Sequence, residues 1–137
     1  MYIKERNSYK DESYLIDLAV NAFGVRTEIV QNVLKNTHKI IVFYDENYKA
    51  FGFLCYRFIV NDTVFIDYAV FDPKYQGKGV ATRFLPSLKK IAKEKDVKVV
   101  TGFVSNNNPR AFNIFTSWGF KPILNLVDGV LIGTFII

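Results

Sequence analysis

Residues 68–84, Y-A-V-F-D-P-K-Y-Q-G-K-G-V-A-T-R-F, restrict the fold more than any other part of the chain. An apolar run suited to a strand stops at Asp72-Pro73, Gly77 and Gly79 follow, and an amphipathic helix starts at once. Its apolar positions, Val80, Phe84, Leu85, Leu88, Ile91 and Ala92, recur at helical spacing with lysines opposite. Residues 97–104 then read as a second strand. A strand, a helix and a strand in that order form a crossover, so the two strands run parallel. Pro86 lies inside the helical pattern and predicts a bend, because its ring removes one hydrogen bond and crowds the preceding turn. Unpaired N–H groups at the start of such a helix carry partial positive charge, and glycines beside them let a bulky anion reach the backbone. The same glycine pair also suits a simple turn.

The charge balance points to the same place. Residues 73–98 hold eight Lys/Arg against two acids, and the rest of the chain holds ten against eleven. The excess behind the net charge of +5 therefore sits on the glycine loop, its helix and the turn beyond. A nucleic acid and a small polyanion both suit such a segment, and the small polyanion requires less. A solvated helix face accounts for the lysines from Lys89 onward. Half of the 137 residues are hydrophobic and 16% aromatic, which implies one domain with a real core and excludes disorder. No apolar run is long enough to span a bilayer, and the opening M-Y-I-K-E-R-N lacks the apolar region of a signal peptide. One cysteine excludes an internal disulfide and fits a reducing cytosol, so a cytoplasmic protein without a membrane partner is expected.

From the N-terminus, residues 2–4 suit a short strand. Leu15, Leu18, Ala19, Ala22 and Phe23 mark a helix that Gly24 would cap. Thr27 suits the N-cap of a second helix carrying Ile29, Val30, Val33 and Leu34. Residues 39–44, 50–60 and 63–71 read as three consecutive antiparallel strands, the last two joined by the tight turn Asn61-Asp62. Pro109 suits the first turn of a helix running to Trp118, and Gly119 ends it. Residues 120–127 and 130–137 close the chain as a hairpin around Asp128-Gly129.

The glycine loop lacks the spacing of a nucleoside-triphosphate loop. It also carries Thr82 where a dinucleotide fingerprint requires a small residue. Gln76, Gly79 and Ala81 instead fit Q-x-x-G-x-A. Further along, Asn108, Ala111, Phe115 and Gly119-Phe120 are spaced N-x-x-A-x-x-x-F-x-x-x-G-F. Together the two segments resemble the GNAT superfamily of N-acetyltransferases. The element order β-α-α-β-β-β-α-β-α-β-β resembles that family along nearly the whole chain. The fold class so implied is α/β (α+β mixed), a single acetyltransferase-like domain over residues 1–137. It would be a mixed, mostly antiparallel sheet of about seven strands flanked by about four helices, with a parallel pair at the acyl-CoA site.

The resemblance also implies roles. Acetyl-CoA would be the cofactor, leaving coenzyme A as product, with no metal. Backbone N–H groups of Gln76, Gly77, Lys78, Gly79, Val80, Ala81 and Thr82 would hold its pyrophosphate, with charge added by Lys74, Lys78 and Arg83. Ala69, Val70 and Phe71 would present strand backbone to the pantetheine arm and the acetyl carbonyl, where donors stabilise developing negative charge. Asn108 would bind the pantetheine arm, and it equally suits the N-cap before Pro109. At Phe115 the family usually offers a tyrosine hydroxyl to the departing thiolate. Phenylalanine cannot donate, and such help is typically worth about 10²–10⁴-fold. Tyr68 and Tyr75 are the nearest tyrosines in sequence. Asp67, the sole acid in its strand, is the candidate general base and would share a face with Phe71 unless a bulge intervenes. Pairing with Arg57 on the neighbouring strand is its structural alternative.

His38 and Cys55 lack a third partner and the spacing of zinc ligands, so neither a Cys-His nucleophile nor zinc is expected. Phe51, Phe53, Phe58 and Phe65 read as core. The function implied is transfer of acetyl to a primary amine of a small molecule or peptide by direct attack. Nucleic acid is not expected as a partner. The alternative, motivated by Phe115, is a catalytically weak or inactive acyl-CoA-binding regulatory module. The apolar ending L-I-G-T-F-I-I suits an inner strand or a homodimer contact.

Overall fold

The structure, a computed structural model, describes residues 2–6, 12–75 and 79–136. Its strands are β1 (Tyr2–Arg6), β2 (Lys39–Tyr44), β3 (Ala50–Val60), β4 (Thr63–Phe71), β5 (Val99–Ser105), β6 (Lys121–Asn125) and β7 (Gly129–Phe135). Its helices are α1 (Glu12–Phe23), α2 (Thr27–Asn36), α3 (Val80–Arg83), α4 (Leu85–Glu94) and α5 (Pro109–Ser117), with a 3-10 turn at Pro73–Tyr75. The strands form one seven-stranded sheet in the order β1-β2-β3-β4-β5-β7-β6. The β4–β5 pair is parallel, as the crossover requires. The apolar ending is an inner strand, because β7 lies between β5 and β6.

Contacts divide the chain into two units, residues 1–57 with 67–84 and residues 58–66 with 85–137. In the first unit α1 and α2 bury Leu15, Leu18, Ala19, Val30 and Leu34 against Val42, Phe53, Cys55 and Val70 of the sheet. Gly24 ends α1 at φ +64° and donates to the Val20 carbonyl, as a left-handed cap should. Thr27, expected as the N-cap of α2, is instead its first helical residue. Extended Arg26 takes the cap position without a side-chain bond, and its carbonyl accepts from Ile29 and Val30.

The other face of this unit is aromatic. The β2–β3 register runs Phe43↔Gly52 and then Tyr44↔Ala50, which leaves Phe51 as a bulged residue. The bulge turns Phe51 away from Phe53 and towards Phe43, Phe71 and Phe84, whose ring centroids lie 6.1–6.4 Å from its own. Phe43 stands 4.9 Å from both Phe71 and Phe84. Glycine at 52 permits this approach, since a Cβ there would sit 2.7 Å from Phe71 Cδ1 and from the Val70 carbonyl oxygen.

In the second unit the parallel ladder runs from Thr63↔Val99 to Ile66↔Gly102, and Thr101 Oγ1 donates to the Val64 carbonyl at 2.9 Å. The β3–β4 turn places Asn61 at φ +35°, and the Asp62 carbonyl receives Lys98 N–H at 2.9 Å. Val64, Val97, Val104, Trp118, Phe120 and Ile132 are buried here. Pro86 does more than bend its helix. Continuous helix would need an N–H at 86 bonded to the Thr82 carbonyl, so α3 stops at Arg83 and α4 restarts at Leu85 with proline in its first turn.

Gly52→Ala should therefore cost about 1–3 kcal/mol of stability, because one of the two atoms its methyl meets is backbone and cannot rotate aside. Urea unfolding measures this, and an unchanged midpoint would mean that β4 is free to shift.

Candidate active site

Acetyl-CoA is the group the sequence implies, and the first test is whether the glycine loop suits an anion. Gly79 adopts φ +69°, and a Cβ built there would meet nothing within 4 Å. The backbone at the head of α3 is thus held in a left-handed conformation that favours glycine and faces open space, as close approach by a bulky group requires. Arg83 N–H closes the turn on the Gly79 carbonyl at 3.2 Å. Gln76, Gly77 and Lys78, predicted to cradle the pyrophosphate, lie outside the described residues. The backbone of Val80, Ala81 and Thr82 forms the start of α3. Lys74 and Arg83 are exposed, Lys74 in the 3-10 turn and Arg83 at the end of α3.

The segment entering this loop is tied down by two carboxylates. Asp72 N–H donates to the Phe51 carbonyl at 2.7 Å. Its Oδ1 accepts Lys74 N–H at 3.0 Å, and its Oδ2 accepts the Tyr14 hydroxyl at 2.8 Å. Tyr75 stacks on Phe51 with centroids 4.3 Å apart and donates its hydroxyl to Asp45 Oδ2 at 2.9 Å. The other oxygen of Asp45 accepts Asn47 and Lys49 N–H at 2.8 and 3.0 Å. These bonds favour the charged carboxylates and hold both below the usual range, chiefly through Lys49 N–H at Asp45 and Lys74 N–H at Asp72. The tyrosines respond oppositely. Burial first, and then the Asp72 bond, raises Tyr14, while the Asp45 bond leads in raising Tyr75. Tyr75, one of the two tyrosines nearest the motif, thus has its proton committed to Asp45.

On β4 the ladder with β5 ends at Ile66, before Ala69, Val70 and Phe71. Asp67 does not share a face with Phe71. Its Oδ1 lies 3.0 Å from Arg57 Nε and its Oδ2 3.2 Å from Thr37 Oγ1, the residue that caps α2. The next side chain, Tyr68, packs against the same helical layer, stacking on Phe23 of α1 with centroids 4.9 Å apart. Two consecutive side chains reaching one layer break the alternation of the strand, while Phe71 joins the aromatic face. The Asp67 side chain is 12% exposed and its Arg57 partner 48%. Thr37 has one hydroxyl proton for two acceptors, Asp67 and the Tyr56 carbonyl at 2.9 Å. Asp67 therefore keeps acceptor capacity beyond its ion pair. Cys55 lies fully buried beside this group, and burial pushes its thiol up to about 12, which rules it out as a thiolate nucleophile at neutral pH.

In the second unit Asn108 caps α5, its Oδ1 accepting Ala111 N–H at 3.1 Å, with Pro109 in the first turn. That bond fixes which end of the amide faces the helix and leaves its NH₂ group to donate elsewhere, so capping and ligand binding are compatible. Phe115 is half-buried and meets Trp118 and Phe120 edge-on, at 5.6 and 5.1 Å between centroids. Phe103 is 43% exposed on β5. Among the described residues, no three of His, Cys, Asp and Glu are grouped to hold a metal, and no helix is long and apolar enough to cross a membrane.

Sequence reasoning missed the Tyr14–Asp72 and Tyr75–Asp45 pairs. Asp72 carried a local signal, an acid at a strand end with an N–H two residues on, but nothing near it in the chain points to Tyr14. Because both carboxylates sit below their unfolded value, their stabilisation is complete above the ordinary carboxylate range and is lost as pH falls through the lowered folded value. The urea midpoint should accordingly fall on acidification below about pH 5. That fall should be shallower in Asp72→Asn, and an equal slope in the two proteins would contradict the assignment.

The comparisons with known proteins agree on the fold. A model of the acetyltransferase (GNAT) family matches residues 5–120. No curated protein sequence is significantly similar to this chain. Among solved structures, the PaiA N-acetyltransferase of Thermoplasma acidophilum in complex with coenzyme A superposes with a TM-score of 0.76 at 17% identity, covering 98% of this chain and 99% of that one. An aminoglycoside 6'-N-acetyltransferase complexed with coenzyme A gives 0.78 at 13% identity, with 100% and 98% covered. A chimera of the Vibrio cholerae spermidine N-acetyltransferase SpeG with hSSAT gives 0.78 at 14%, with 98% and 96% covered. With a parallel β4–β5 pair, a glycine-headed α3 and an asparagine-capped α5 in the expected order, and a family model spanning most of its length, this chain belongs to the GNAT acetyltransferase family.

Proposed function

We propose that this chain works as a single acetyltransferase domain that moves acetyl from acetyl-CoA to the primary amine of a small molecule or peptide. The observation that carries the reading is Gly79, a left-handed glycine facing open space at the head of α3. Family membership supports it, as do the relatives solved with coenzyme A. The acceptor class follows from relatives named for spermidine and aminoglycosides, both amines. Acetyl-CoA would supply an activated thioester that an amine attacks directly.

This chain's own groups would do the rest. Backbone N–H groups from Gly79 to Thr82, with Gln76, Gly77 and Lys78 before them, would hold the pyrophosphate. Exposed Lys74 and Arg83 would add positive charge. Ala69, Val70 and Phe71 would offer strand backbone beyond the end of the β5 ladder to the pantetheine arm. Asn108 would donate its NH₂ group to the same arm while its oxygen caps α5. Asp67 would accept the amine proton, directly or through water, held in orientation by Arg57. Phe115 would pack without donating, so the thiolate would leave by taking its proton from water. Thiolates tolerate this better than alkoxides do.

Titration calorimetry with coenzyme A, and thiol release in the presence of spermidine, an aminoglycoside and a peptide amine, test the reading. Gly79→Glu should abolish coenzyme A binding, since it adds charge where the anion sits and strains a left-handed backbone by about 1–2 kcal/mol. Retained affinity in a folded Gly79→Glu protein would sink the pyrophosphate assignment. Asp67→Asn should lower turnover about 10²-fold or more and flatten the acidic limb of the rate profile. A wild-type profile would leave Asp67 with its ion pair alone.

A further inference from the structure

We propose that Tyr14 and Tyr75 are positioning residues for acetyl-CoA, whose hydroxyls lock the segment feeding the glycine loop by holding Asp72 and Asp45. The proposal rests on the reading of that loop as the pyrophosphate site and adds residues that the family motifs do not include.

The two pairs share one design. In each, one carboxylate oxygen is spent on backbone N–H groups of its own turn, Lys74 for Asp72 and Asn47 with Lys49 for Asp45. The other oxygen takes a tyrosine hydroxyl from a distant part of the chain, 58 residues away for Tyr14 and 30 for Tyr75. Between them these bonds grip the segment from Asp72 to Tyr75 from two sides, α1 and the β2–β3 turn. Tyr75 N–H closes the 3-10 turn on the Asp72 carbonyl at 2.9 Å, and the Tyr75 ring lies on Phe51. Three kinds of contact thus hold four residues just before the loop, where a simple connection would need none.

Tyr14 also sits on a helix that is aligned with β4. Phe23 near the end of α1 stacks on Tyr68, and Tyr14 near its start bonds Asp72 at the far end of the strand. Nine residues of helix and four of strand both span about 13 Å, so the two contacts fit without strain in either element. The Phe23–Tyr68 stack holds the strand itself, and the Tyr14 hydroxyl fixes where the strand gives way to the loop.

The placement of charge points the same way. Two carboxylates beside a pyrophosphate site would repel its anion. Asp45 is also buried, at 8% exposure. Such groups are a poor choice for mere filling, but a charge-assisted bond holds geometry more firmly than a neutral one. Binding to a loop held in place loses less freedom than binding to one that must be ordered first.

The test compares Tyr14→Phe and Tyr75→Phe with wild type in coenzyme A affinity by calorimetry. It also compares steady-state kinetics with two donors, acetyl-CoA and acetyl-pantetheine, which lacks the pyrophosphate. Each variant should weaken coenzyme A binding and raise the acetyl-CoA KM about tenfold, the loss of one charge-assisted bond. The kcat should be unchanged, and kcat/KM for acetyl-pantetheine should stay at the wild-type value. Equal loss with both donors, or a fall in kcat without a change in KM, would mean general structural damage and overturn the proposal, as would unchanged coenzyme A affinity. If Tyr14→Phe fails to fold, Tyr75→Phe, whose ring keeps its stack on Phe51, carries the test. A wild-type protein without coenzyme A affinity would remove the pyrophosphate reading itself. Wild-type binding with unaltered variants would remove only the role of the two tyrosines.

Discussion

The carboxylate of Asp72 does more for the arrangement of the site than any other side chain. It stops β4 by turning the chain onto Lys74 N–H, and it anchors α1 through the Tyr14 hydroxyl. Its own N–H holds to the Phe51 carbonyl. That junction lies between β4 on one side and, in sequence, Gly79 and α3 on the other. A neutral asparagine could keep the bond from Lys74 N–H, but it would lose the charge that strengthens the two bonds the carboxylate accepts.

β4 changes along its nine residues. Its first four pair with β5, where the ladder gives a conventional parallel edge. Beyond Ile66 the strand loses that ladder and its alternation, so Asp67 and Tyr68 both face the helices and Phe71 faces the aromatic cluster. The broken pleat carries Asp67 to the ion pair with Arg57. There Asp67 is paired with Arg57 and keeps acceptor capacity beyond that ion pair. The Phe51 bulge and the missing side chain at Gly52 make the opposite face possible, by letting the β3 backbone approach Val70 and Phe71.

How far the chain could be read depended on how far apart the interacting groups lie in it. The caps at Gly24 and Asn108 were legible because donor and acceptor fall within a few residues of each other. The parallel pair was legible because a crossover of fixed hand allows one answer, and the motif around Gly79 and Asn108 because its spacing is local to each segment. Thr27 misled because a good capping residue stands one position too late, where Arg26 is already extended and its carbonyl serves. Pro86 was read as a bend, and the lost bond to Thr82 proved enough to divide the helix. Nothing in the order of residues announced the bulge at Phe51, since removing one residue from register is decided by which side chains the two faces can bury.

Composition, periodicity and two spaced motifs were enough to establish a mixed sheet, a crossover and a glycine at the head of the crossover helix. Each of these depends on neighbours along the chain or on the hand of a connection. Tertiary structure decided the partners of the charged and hydroxyl groups: Asp67 with Arg57, Asp72 with Tyr14, Asp45 with Tyr75. Such pairs form wherever folding brings a donor within hydrogen-bond distance of a desolvated carboxylate. Separations of 10, 58 and 30 residues leave no periodic trace from which to read them.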